Sequence, residues 1–195
     1  MEEKKSLDTT YFDDVYRRAA DPWNFQTSEY ESGKYAETLK SLPKNHYENA
    51  WEIGCSIGVL TEKLAACCAK LLATDVADAA LAQAAERCRR LPHVTVKKMR
   101  FPDDLPGGKF DLILISEVAY YLSPSDWLAA QWKIVERLTE NGSVVLVHWT
   151  PEVHDYPQTG DAVHESFIDN TWGVLRRAVE KRTEKYRLDA FEKIV

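Results

Sequence analysis

The sequence has no run of positive charge. Its 25 Lys and Arg are outnumbered by 31 Asp and Glu, leaving a formal net charge of -6 over 195 residues. A nucleic-acid groove needs clustered Lys and Arg, so no nucleic-acid partner is expected. The one basic cluster, Arg87, Arg89 and Arg90, closes a predicted helix, where positive charge complements the helix dipole. No window approaches the roughly 18 apolar residues that a membrane span requires. The first ten residues are polar and charged, with no secretory h-region. A membrane partner is therefore not expected. Cys55, Cys67, Cys68 and Cys88 include no C-x-x-C pair, and they are expected to be small buried hydrophobes in a reducing cytoplasm. Internal repeats and low-complexity tracts are absent.

What is present is an ordinary globular balance, 45% hydrophobic and 29% charged, at a length that suits one domain with a substantial core. Residues 1–10 look frayed. From 11 to 42 the pattern predicts two or three helical pieces, broken at Asp21-Pro22 and stopped by Pro43. This quarter holds Tyr11, Phe12, Tyr16, Trp23, Phe25, Tyr30, Tyr35, Tyr47 and Trp51. So many aromatics suit a helical cap on a sheet edge, or a lid that lines a ligand pocket, and the two readings are compatible.

From residue 50, strands and helices alternate. Strands are predicted at 50–53, 71–74 (ending on Asp75), 94–99, 110–115 and 144–149. Helices are predicted at 59–70, 78–90, 125–138 and 162–178, with Asn141-Gly142 capping the third of them. Residues 150–161 form a loop, and 186–195 are a late strand at the sheet edge whose hairpin partner is absent or supplied otherwise. Strands spaced by helices of ten to fifteen residues predict an α/β fold: a three-layer, open, mostly parallel, Rossmann-like sheet with an N-terminal helical cap. The expected division is a cap over 1–46, a cofactor-binding core over 47–150, and a C-terminal helix with edge strand over 151–195.

The chemistry is concentrated in residues 52–58, E-I-G-C-S-I-G, where a strand turns into a helix. A Walker-type loop would need a G-K-[ST] ending that is missing here. A dinucleotide fingerprint would need glycine at 54, 56 and 59, where the chain has Gly54, Ser56 and Val59. Small residues at 54, 56 and 58 instead let an uncharged sugar and a compact tail pass over the turn. Glu52, just before it, balances a positive ligand group and repels a diphosphate. Asp75, at the end of the next strand, is placed to accept a ribose diol. The pattern points to a cationic nucleoside rather than a dinucleotide.

These residues resemble the E/D-x-G-x-G-x-G loop of the class I S-adenosylmethionine-dependent methyltransferases, with Ser56 departing at the middle glycine. Asp75 matches that family's ribose-binding acid, and Phe110-Asp111-Leu112-Ile113 its fourth-strand motif. Tyr11-Phe12, Asp21-Pro22-Trp23, Ser28, Tyr30, Glu31 and Lys34-Tyr35 are similar to the N-terminal signature of the NodS-like nodulation methyltransferases, as is the run from Glu52 to Thr61. That subfamily methylates the free amine of a deacetylated chitooligosaccharide. The resemblance implies S-adenosylmethionine as cofactor, S-adenosylhomocysteine as product, and a small-molecule or oligosaccharide acceptor. It implies a cofactor site of Glu52, Gly54, Cys55, Ser56, Gly58, Asp75, Val76, Arg100, Phe101 and Ser116, with Tyr11 and Tyr30 closing over it. Arg100 stands where many members carry an acid.

For the acceptor, Glu117 and His148 are candidate proton acceptors at the ends of the fourth and fifth strands. Tyr16, Lys34, Tyr120, Tyr121 and Trp149 are candidate substrate contacts. The reaction expected is N-methyl transfer to an amine, with O-methyl transfer and non-catalytic cofactor binding as the alternatives. Methylation of a base amine lacks its N-P-P-Y or D-P-P-Y motif. No metal is expected: His148, His154, Asp155, Asp161 and His164 are near in sequence but lack H-x-x-x-H or H-E-x-x-H spacing. Oligomeric state is not legible.

Overall fold

The computed structural model describes residues 4–194; whatever the sequence implied for residues 1–3 and Val195 lies outside them. The chain divides into two compact units, residues 8–105 and residues 106–194 together with 4–7.

In the first unit, α1 (Thr9–Arg18) starts because the Asp8 carboxylate accepts from the Thr10 and Tyr11 amides, and it ends on Arg17 and Arg18. The Asp21-Pro22 break is a built turn, in which the Asp21 carboxylate accepts from Phe25 N and Gln26 N at 2.8 and 3.0 Å. Ser28 then caps α2 (Glu29–Lys40). The strands β1 (Ala50–Ile53), β2 (Leu71–Asp75) and β3 (Val94–Lys98) pair in parallel in the order β3-β2-β1. Two helices join them, α3 (Val59–Leu64) and α4 (Asp78–Cys88). The helix expected over 59–70 stops at Leu64 and tightens into a 3-10 turn, Ala65–Cys67. The aromatic cap packs inward: Tyr16 joins Ile57, Ala77 and Ala80, with Phe12, Trp23, Phe25 and Val59 against them.

The second unit holds β4 (Phe110–Ser116), α5 (Pro124–Arg137), β5 (Leu138–Trp149), α6 (Gly160–Asn170), β6 (Leu175–Arg182) and β7 (Tyr186–Lys193). Its strand order is β4-β5-β7-β6, with β4 and β5 parallel and β7 antiparallel to both β5 and β6. Leu112–Ile115 and Val144–Val147 are wholly buried, as expected of a strand pair covered on both faces. Trp127 donates to Val163 O at 3.0 Å and stacks on Phe167, joining α5 to α6.

Four expectations are corrected here. Residues 4–7 are pinned rather than frayed, since Leu7 N donates to Tyr121 O at 2.8 Å and Ser123 N to Ser6 Oγ at 2.7 Å. Asn141-Gly142 does not cap a helix: α5 ends at Arg137, Leu138 is already extended, and residues 139–142 loop out opposite Asp111 within β5. The helix expected over 162–178 ends at Asn170; after a left-handed Gly173 the chain turns into β6. Residues 186–193 are not an edge strand, because β7 lies between β5 and β6, and β6 is the hairpin partner expected to be absent or supplied otherwise. Among the described residues no helix is long and apolar enough to cross a membrane.

Candidate functional site

In the first unit the loop after β1 is held by its own backbone. Gly54 N and Cys55 N both donate to Thr74 O, at 2.8 and 2.9 Å, and Gly58 N closes the turn on Cys55 O at 2.9 Å. Gly54 and Gly58 have φ of 80° and 79°, where glycine carries no Cβ penalty. Gly58 is doubly required, because a Cβ there would stand 2.9 Å from the Ala84 backbone of α4. Ser56 occupies the middle position with a φ of 49°, a conformation that costs an L-residue about 1–2 kcal/mol. Its hydroxyl gains a partner in return, the Tyr16 hydroxyl of α1. Arg87 of α4 steadies the far side of the loop, donating through Nε to Ile57 O at 3.0 Å.

Two carboxylates flank this loop. Asp75, partly exposed, accepts from Ser56 N (2.8 Å) on one oxygen and from Val76 N and Ala77 N (2.8 and 3.0 Å) on the other. Burial raises its pKa against those three amides. Glu52 is 1% exposed, and its Oε2 has no hydrogen-bond partner among the described residues. Burial pushes its carboxyl up to about 7; the neighbouring Thr61 hydroxyl offsets part of this and the Asp75 charge adds to it. The Thr61 hydroxyl itself makes no bond of normal geometry. A buried, unsatisfied carboxylate beside a second acid suits a ligand that brings a cation and hydroxyl donors, and opposes a phosphate.

The remaining residues expected at this site are placed as follows. The Cys55 thiol is buried, and burial raises its pKa well above the usual thiol range. Phe101 packs edge-on against Trp51 at 6.0 Å, while the exposed Arg100 pairs with Asp103 at 3.3 Å. Tyr11 packs edge-on against Phe12. Lys34, considered for the substrate, is 3% exposed, 3.0 Å from Glu31 and 5.4 Å from the Tyr30 ring centre. Its ammonium is held within α2.

In the second unit Ser116 ends β4, and Glu117 follows with a φ of 58°. Glu117 Oε2 accepts from the Tyr120 hydroxyl at 2.5 Å and from Trp149 N at 2.9 Å. Tyr120, Tyr121 and Tyr156 form one aromatic cluster: Tyr120 stacks on Tyr156 at 4.9 Å and meets Tyr121 edge-on at 4.7 Å. Burial, with the Glu117 charge next, raises the Tyr120 phenol well above its usual range, so it stays a donor.

His148 is corrected as a proton acceptor. It is wholly buried, and its Nε2 lone pair receives the Ala119 amide at 3.1 Å. Taking a proton there would break that bond. Its Nδ1 lies 3.0 Å from Nε2 of His164, whose own Nδ1 is 2.6 Å from Asp189 Oδ2. The sequence reading missed Asp189 and Tyr156, and it considered His164 only as a metal ligand; no short motif links them. Among the described residues no group of three or more His, Cys, Asp or Glu is arranged to hold a metal ion.

The family model of Nodulation protein S (NodS) matches residues 13–154. Nodulation protein S of Sinorhizobium fredii is 32% identical over 130 residues, 66% of this chain and 60% of that protein. That of Bradyrhizobium diazoefficiens is 37% identical over 103 residues, 52% of this chain and 49% of that protein. The matched stretch thus spans about half to three-fifths of the length of these curated relatives. The solved N-methyltransferase NodS of Bradyrhizobium japonicum WM9, in complex with S-adenosyl-L-homocysteine, is 25% identical with a TM-score of 0.83, covering 96% of this chain and 100% of that one. The fold is therefore that of the class I, Rossmann-like methyltransferases, and the chain belongs to the Nodulation protein S (NodS) family.

Proposed function

We propose that this chain is an S-adenosylmethionine-dependent methyltransferase acting on the amine of a small molecule or saccharide, with a deacetylated amino sugar as the leading acceptor. The observation that carries the cofactor assignment is Glu52, a buried carboxylate with an unsatisfied oxygen beside a glycine turn. A cationic amino-acid tail would satisfy it. Gly54, Cys55, Ser56 and Gly58 allow close backbone approach. Asp75 and Val76 take the ribose, Phe101 and the backbone at Arg100 take the base, and Tyr11 and Tyr30 complete the enclosure. S-adenosyl-L-homocysteine in the related NodS complex supports the same ligand class here.

When bound, the cofactor supplies a methyl group already electrophilic on sulfonium sulfur. What the chain adds is position, dryness and charge. Glu117, held by two donors on one oxygen, attracts an ammonium and accepts the proton that the amine must lose before its lone pair can react. Trp149, partly exposed, offers an aromatic face suited to a sugar ring, with Tyr120 and Tyr121 buried in the cluster with Tyr156, and Tyr16 and Lys34 hold the helical cap. The free thiols favour a reducing compartment, and the cytoplasm is proposed as the site of action.

Calorimetry with S-adenosylhomocysteine tests the cofactor; Asp75→Ala should lose at least about tenfold in affinity, the scale of one charged hydrogen bond. Transfer of labelled methyl to glucosamine tetramer, against its N-acetylated counterpart, tests the acceptor. Absence of S-adenosylhomocysteine binding refutes the whole reading. Binding without transfer to any amine refutes only the acceptor.

A further inference from the structure

The two buried histidines of the second unit have a proton arrangement that the hydrogen bonds determine. A backbone N–H can only donate, so the Ala119 amide requires His148 Nε2 to be an unprotonated acceptor. A neutral His148 then carries its proton on Nδ1, which faces His164 Nε2 at 3.0 Å. That nitrogen must accept, so the His164 proton is on Nδ1, 2.6 Å from the Asp189 carboxylate. Every donor meets an acceptor, all in one direction. Asp189 is anchored in turn, since Arg187 Nε donates to the same oxygen at 2.8 Å and the Arg177 guanidinium lies 3.5 Å from the other.

An extra proton on either ring breaks the sequence. A cationic His164 would present N–H to His148 on one side, forcing the His148 proton onto Nε2 against the Ala119 N–H. Burial keeps His164 below the usual imidazole range; Asp189 pulls it upward, Arg187 downward and Asp161 upward, without reversing the result.

The chain of bonds ends at the turn that carries Glu117. Ala119 lies two residues after Glu117, whose left-handed φ of 58° needs bracing. Both donors to Glu117 Oε2 are neighbours of His148: Trp149 N belongs to the next residue, and the Tyr120 ring meets the His148 ring edge-on at 5.3 Å. We propose that His164 and Asp189 are positioning residues, which lock His148 as its Nδ1–H tautomer so that Nε2 holds the Ala119 amide and thereby presents Glu117 to the acceptor. The presenting role rests on the reading of Glu117 given under Proposed function; the tautomer does not.

The test uses the full chain, labelled with nitrogen-15, and long-range nitrogen–proton spectra of its imidazoles at neutral pH. His148 and His164 should both show the Nδ1–H form, not the Nε2–H form that free imidazole side chains favour. His164→Leu removes the acceptor for His148 and should change the His148 signals. It should also slow methyl transfer to glucosamine tetramer by about tenfold to a hundredfold, the scale of a displaced reacting group. S-adenosylhomocysteine affinity should stay within about twofold, since transition-state positioning is separable from cofactor binding. His164→Gln, whose amide both accepts and donates, should keep the His148 tautomer and most of the rate. An Nε2–H His148 in the native chain overturns the proposal whatever the variants do, including a His164→Leu that fails to fold. Unchanged His148 signals, or an undiminished rate, in a folded His164→Leu also overturn it. If the tautomer is as stated and Glu117→Gln transfers at full rate, the reading of Glu117 falls and the lock itself stands.

Discussion

Glu52 should oppose the stability of the cofactor-free protein. Its carboxyl ionises near 7 in the folded chain, against a usual 4.5, because burial disfavours the anion. A folded-state pKa raised above the unfolded value means that the neutral form stabilises the fold. That contribution is complete below pH 4.5 and is lost as pH rises from 4.5 through about 7. At pH 8 the buried anion costs about 3 kcal/mol. For a domain of this size that corresponds to roughly 6–12 °C in Tm. Glu52→Gln cannot ionise and escapes this cost. Without ligand, its Tm should match the native chain near pH 4 and exceed it by that margin at pH 8, read by circular dichroism melts. The same variant should bind S-adenosylhomocysteine more weakly, because the cation loses its partner. A Tm difference that is equal at the two pH values, or a Glu52→Gln less stable than native at pH 8, would refute the reasoning.

Other substitutions probe the two halves separately. Ser56→Gly relieves the left-handed backbone and loses the Tyr16 bond, whereas Ser56→Ala loses the bond and keeps the strain. Urea denaturation should therefore find Ser56→Ala less stable than Ser56→Gly by about 1 kcal/mol, and the opposite order would show that φ is not limiting. At Gly160 a Cβ would lie 2.2 Å from Trp149 O, so Gly160→Ala must push α6 off the end of β5. A loss of about 2 kcal/mol is expected, and a near-native midpoint contradicts the close approach. Glu117→Gln should slow methyl transfer by about a hundredfold or more in single-turnover assays while leaving cofactor affinity unchanged. An intact rate removes Glu117 from the chemistry.

Legibility followed how local the determining interactions were. Strands β1, β2 and β4 were readable to within a residue, because continuous apolar runs end at turn residues and a buried strand needs little else. The C-terminal part misled. Residues 175–182, L-R-R-A-V-E-K-R, are rich in helix formers, and pairing with β7 overrides that preference. Asn141-Gly142 suits a helix cap and an excursion in a strand equally, and the pairing of Leu138 with Phe110 decides for the strand.

The sequence alone determined the glycine turn to which the cofactor is assigned by proposal, since glycine spacing, the acid before it and the acid seventeen residues after it are all short-range. It also carried enough family signature to anticipate the fold. Tertiary structure decided what each charged or titratable group is free to do. Lys34 is spent on Glu31 within its own helix, and the lone pair of His148 is spent on a backbone amide. His164 and Asp189 are 25 residues apart and come together only because α6 packs beside β7. Spacing can announce a turn, but hydrogen-bond partners across the fold settle which side chains remain available for chemistry.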